Sequence, residues 1–77
     1  MNLARQAMAL RKQEYSSLIR ALLVKHKLSY DEASNLIHIS RITIGKAARS
    51  TQVESISLDS LFLIHYHLEY STWIKLA

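Results

Sequence analysis

The sequence predicts an all-α fold of four to five helices, on three observations. Apolar residues recur at helical spacing through most of the chain. Serines stand where helix caps belong, ahead of each run from the second onward. Strand signals are nearly absent, since the β-branched run Ile42, Thr43, Ile44 is too short to outweigh its helical surroundings. No proline and only one glycine occur, so the chain carries few strong turn signals.

The first periodic stretch places Tyr15, Leu18, Ile19, Leu22 and Leu23 on one stripe of a helix over about residues 14–26. Arg20 lies off that stripe, and Lys25 and Lys27 stand near its end, where cations suit the helix dipole. Residues 1–13 are open to two readings. Leu3, Ala7 and Leu10 share one weak face, which makes the segment either a backward extension of the first helix or a mobile N-terminal arm. Residues 14–77 form the domain proper.

The second helix opens at Ser29, with Glu32 three residues on, the spacing of a capping box, and Asp31 adding charge to the first turn. Ala33, Leu36 and Ile37 form its inner face, and Ser34 is small enough to let another helix cross closely. After the interruption His38-Ile39, Ser40 caps a third helix that runs to about Arg49. The stretch from Ser50 to Ile56 reads as a polar loop. Ser57 caps a fourth helix with Leu61, Ile64 and Leu68 on its core face. A last turn capped by Ser71, with Trp73, Ile74 and Leu76 as anchors, would make a fifth.

A chain of 77 residues builds one small core, burying only about 60% of its unfolded surface. No cysteine is present, which excludes disulfides and thiolate metal sites. No apolar run reaches the roughly 18–20 residues of a membrane span, and the first residues lack a signal-peptide core, so a cytoplasmic protein is expected. The net charge of +4 suits an acidic partner such as nucleic acid.

Joined, the second and third helices make a helix pair with a turn of about three residues, the helix-turn-helix spacing. Ala33, Ile37, Ile39, Ile44 and Ala47 face inward. Arg41, Ile42, Gly45, Lys46 and Arg49 face outward, a cationic helix face without a carboxylate, suited to phosphates lining a major groove. Gly45 offers close approach of a DNA strand to the backbone, at about 1 kcal/mol in helix propensity.

The residues "KLSYDEASNLIHISRITIGKAA" and "ISLDSLFLIHYHLEYSTWIKL" resemble the lambda-repressor-like, or XRE, family of helix-turn-helix DNA-binding regulators, over residues 16–76. The resemblance implies a lambda-repressor-like bundle that binds operator DNA as a homodimer, with the third helix in the major groove, in a regulator (a repressor by preference) of phage, plasmid or bacterial type. It implies base-edge or phosphate contacts for Ser40, Arg41, Thr43 and Lys46, and phosphate contacts for Lys27, Ser29 and Arg49. Ile42 is either a reader of a thymine methyl or a buried residue. The chain departs from the family at His38, which stands at the turn where the family carries glycine.

Phe62, Tyr66 and Tyr70 form a second stripe on the fourth helix beyond its core face, and with Trp73 they are expected to make a dimer interface. The alternative function is a protein-interaction module, an adaptor or antitoxin-like subunit that uses this surface. The four histidines lack the companions of a metal site, and the carboxylates read as caps or surface charges. No enzyme activity, metal or cofactor is expected.

Overall fold

The first helix, α1, spans Leu3–Lys25 and is the longest element. We describe the structure from a computed structural model covering residues 2–76, with side chains through Ile74. The Asn2 side chain caps α1 by accepting from the Arg5 amide at 3.1 Å. No proline or glycine lies between this cap and Lys25, so nothing interrupts the i→i+4 ladder. Residues 3–13 therefore extend α1 backward and are not a separate arm. Their side chains up to Met8 remain exposed. The middle of α1 is tied to the rest of the molecule through Gln13 Nε2, which donates to the Ser50 carbonyl at 2.8 Å. Lys12 Nζ donates likewise to the Glu54 carbonyl at 3.1 Å.

Three further α-helices follow, α2 at Tyr30–Ile37, α3 at Arg41–Ala48 and α4 at Leu58–Leu76, with a 3-10 turn at Val53–Ser55 between the last two. The fold is an all-helical bundle, without strands among the described residues. α4 continues without a break past Ser71, so the expected fifth helix does not exist as a separate element. Ser71 is a helix-interior residue, not a cap. The expected anchoring by Leu76 lies outside the described side chains.

The core is made by Ile19 and Leu23 of α1, Ala33 of α2, Ile44, Ala47 and Ala48 of α3, Val53 of the 3-10 turn, and Leu61, Ile64 and Leu68 of α4. Tyr15, Leu22, Ile37 and Ile39 pack at its edge. Leu18, expected on the inner stripe of α1, is exposed, and Ser16 is buried on that helix. Ser16 is tolerated there because its Oγ accepts from Arg20 Nη1 at 3.2 Å. Thr72, the other buried polar residue of the described chain, donates its hydroxyl to the Leu68 carbonyl at 2.7 Å. No described buried side chain is left without a hydrogen-bond partner.

Both turns around α2 use the left-handed region without glycine. At the end of α1, Leu28 N donates to Leu23 O at 2.9 Å and Lys27 N to Val24 O at 3.2 Å. This is a Schellman closure with Lys27 at φ 54°. At the end of α2, His38 adopts φ 58°, ψ 41° and donates its amide to Ser34 O at 2.8 Å. The tight turn is thus kept despite the missing glycine. A side chain in that region costs of order 1 kcal/mol. His38→Gly is expected to raise stability by about 0.5–1 kcal/mol, a Tm increase of a few degrees. His38→Val, whose branched Cβ fits that region worst, is expected to lower it; thermal unfolding of the pair checks the sign.

Candidate nucleic-acid interface

The helix pair is built by its caps. Ser29 and Glu32 form a complete capping box at α2, Glu32 N to Ser29 Oγ at 3.1 Å and Ser29 N to Glu32 Oε1 at 3.0 Å. Ser40 Oγ accepts from Ile42 N at 3.2 Å and starts α3. The far end of α3 is capped by a residue of α1, since Arg20 Nη1 donates to the Ala48 carbonyl at 2.9 Å. One of the carbonyls a helix end leaves without an intrahelical partner is thereby satisfied. Arg20 is a structural residue that its position off the apolar stripe does not reveal.

Between α2 and α3 lies a cleft of about 520 Å³. Six of the expected contact residues line it: Ser29, Arg41, Ile42, Gly45, Lys46 and Arg49. Three others join them, Tyr30 and Asp31 from α2 and Gln52 from the loop after α3. The remaining expected residues sit elsewhere. Ser40 and Thr43 do not line the cleft, and the Ser40 hydroxyl is engaged in capping. Lys27 borders a separate depression with Arg20, Leu23 and Val24, which Tyr30 also lines.

Two sequence expectations need correction. Gly45 is buried, and does not present a bare Cα to a DNA strand. A Cβ there would stand 3.4 Å from the Tyr30 ring carbons Cδ2 and Cε2 and 3.8 Å from the Arg49 guanidinium carbon, ordinary contact distances. Those two side chains cover the glycine. Likewise, the cationic face of α3 is not free of carboxylate once α2 is in place, because Asp31 Oδ1 lies 3.5 Å from Arg41 Nη1. Both partners are largely exposed, so the pair contributes little to stability and exchanges readily for another anion. Ile42 is not buried against the other helices of the chain. At 65% exposure it is no part of the core and stands beside Arg41 at the cleft rim.

Tyr30 and Gln52 are the functional candidates that sequence reasoning misses. Tyr30 occupies the first position after the α2 cap, where no periodicity distinguishes it. Gln52 lies in a polar stretch, and its place is fixed by the turn it closes, with its amide bonded to the Arg49 carbonyl and its neighbour Val53 buried.

The expected interface residues on α4 are gathered into one exposed row. Phe62, Tyr66 and Tyr70 are each about half exposed and Trp73 is 66% exposed. Ring centroids are 6.2 Å apart for Phe62–Tyr66 and 6.3 Å for Tyr66–Tyr70, with interplanar angles of 20° and 2°. With His65 and Glu69 they line a shallow groove of about 300 Å³. His65 Nε2 lies 3.4 Å from Glu69 Oε2. Among the described residues no group of three His, Asp or Glu side chains is placed to hold a metal ion. No described helix is long and apolar enough to cross a membrane. No protein-family model matches the chain, and no similar curated protein or solved structure was found.

Proposed function

We propose that the chain is a sequence-specific duplex-DNA-binding regulator, a repressor by preference, that acts as a homodimer with α3 in the major groove. The observation that carries this reading is the convergence of Arg41, Lys46 and Arg49 on one cleft of a doubly capped helix pair. An α-helix with its side chains is about 10–12 Å across, which suits insertion of α3 into a groove about 12 Å wide. Arg41 opens α3, where a side chain reaches base edges first, and a guanidinium can pair bidentately with guanine. Ile42 beside it supplies an apolar contact of the kind a thymine methyl accepts. Lys46 and Arg49 supply the phosphate contacts that hold register.

Dimerisation would bring two α3 helices to successive major grooves, about one helical turn apart. The Phe62/Tyr66/Tyr70/Trp73 row is the surface proposed to meet its own copy across a two-fold axis. Selection of bound sequences from a random duplex pool tests the function. A palindromic winner is expected, and a pool that stays random would contradict sequence-specific binding.

A second reading, an interaction module such as an adaptor or antitoxin-like subunit, draws on the same aromatic row docking a different protein. The oligomeric state separates the two. The chain is expected to sediment as a dimer, and Tyr66→Glu, placing a charge at the centre of the stacked row, is expected to sediment as a folded monomer. A wild-type monomer at high concentration, or a Tyr66→Glu dimer, would move the row out of the homodimer and favour the second reading.

A further inference from the structure

We infer that Tyr30 and Gln52 are positioning residues that hold the Arg49 guanidinium ready to receive a backbone phosphate, so that the α3–α4 loop belongs to the binding site. The inference rests on the DNA-binding reading and deepens it. Arg49 follows the last residue of α3, where a long side chain would ordinarily sample many rotamers. Here it is held from two sides. Its Cζ lies 5.4 Å from the centroid of the Tyr30 ring, within cation–π distance. Its Nη1 donates to Gln52 Oε1 at 3.2 Å. Gly45 lies beneath the pair, its Cα side covered by the Tyr30 ring and the guanidinium.

The loop is built to keep Gln52 in place. The Arg49 carbonyl accepts from both Gln52 N at 3.0 Å and Val53 N at 2.9 Å, and Val53 is fully buried in the core. A short turn is therefore closed on itself and anchored by its apolar end. Only one of the guanidinium's five N–H donors is used by Gln52, which leaves donors for a phosphate at the cleft mouth. Ordering the side chain in advance removes an entropic cost that binding would otherwise meet. A neutral acceptor such as Gln52 orients the guanidinium without neutralising it, unlike the Asp31 carboxylate beside Arg41.

The test is a pair of double-mutant cycles on the full chain, binding a duplex that the chain itself selects, over a salt series. Arg49→Ala is expected to weaken binding and to make the salt slope shallower by about 1 for each phosphate that the side chain neutralises. Tyr30→Leu and Gln52→Ala are each expected to weaken binding about two- to fivefold when Arg49 is present, and to have no effect in the Arg49→Ala background. Tyr30→Phe, which keeps the ring face, is expected to restore most of the affinity that Tyr30→Leu loses. Equal costs with and without Arg49, in both cycles, would overturn the positioning role while leaving DNA binding intact. Gln52 is exposed, so its cycle decides the matter if Tyr30→Leu impairs folding. A wild-type chain that shows no salt-dependent binding to any duplex overturns the functional reading and this inference with it.

Discussion

Leu61→Ala is expected to cost about 2–5 kcal/mol and to leave the domain at the edge of unfolding at 25 °C. Leu61 is fully buried in the cluster shared by all four α-helices and the 3-10 turn. Its removal therefore leaves a cavity that no single element can move to fill. A chain of this length has a total stability of roughly 4–12 kcal/mol at about 0.05–0.15 kcal/mol per residue. One core truncation thus takes a large share of the whole. The urea midpoint is expected to fall by about 1.3–5 M, for a slope of about 1–1.5 kcal/mol/M. Val24→Ala, at an exposed site on α1, is the control and is expected to shift stability by less than about 0.5 kcal/mol. Protein concentration must be held fixed, because the stability of any chain that self-associates depends on it. A Leu61→Ala midpoint within about 0.5 M of the wild type, by this order-of-magnitude slope, would contradict the core as described.

Arg41→Ala combined with Lys46→Ala is expected to reduce affinity for a selected duplex about 100-fold or more, with the fold unchanged. A good bidentate base contact carries about 1–3 kcal/mol of discrimination, and each phosphate contact carries counterion release besides. The two single variants should differ in kind. Arg41→Ala is expected to relax sequence preference at one base position, while Lys46→Ala weakens all sequences alike and makes the salt slope shallower. Both side chains are exposed, so neither change removes core packing. Asp31 predicts a third behaviour at the same place. Asp31→Asn removes the carboxylate facing Arg41 and is expected to tighten binding to unselected duplex more than to the selected one. Competition binding with the two duplexes checks both expectations. Unchanged affinity in the double variant would remove α3 from the interface.

Much of the helix pair was legible because its determinants are local. The capping box at Ser29 and Glu32, the Ser40 cap and the Ser57 cap depend on spacings of two or three residues. Ala33, Ile44, Ala47, Leu61, Ile64 and Leu68 are buried as their periodicity indicates. What escaped is set by contacts distant in sequence. Val53 lies in a polar stretch and becomes a core residue only because α1 and α3 close over it. Arg20 reads as a surface cation until α3 brings the Ala48 carbonyl to it. Residues 3–13 are helical through their cap and the lack of a breaker, with almost no burial to announce it. Ser71 resembles a cap, yet the helical run on both sides, with Thr72 bonded back to Leu68, carries α4 through it.

The site shows the same division. The residue types that could touch DNA were readable along α3, and six of the expected residues do meet at one cleft. The second wall of that cleft was not readable. Tyr30, Asp31 and Gln52 reach it through the crossing of α2 over α3 and the return of the loop, which no spacing within one helix encodes. The same crossing turns Gly45 from an outward-facing gap into a covered one.

The central claim is that the cleft cations are placed to bind duplex DNA and are not merely a solvated basic face. The most direct measurement is a salt titration of the intact chain binding a selected duplex. With Lys46 and Arg49 contacting phosphate in each half of a dimer, the logarithm of affinity is predicted to fall against the logarithm of salt with a slope of about −3 to −4. A slope near zero, or no binding at low salt, would contradict it.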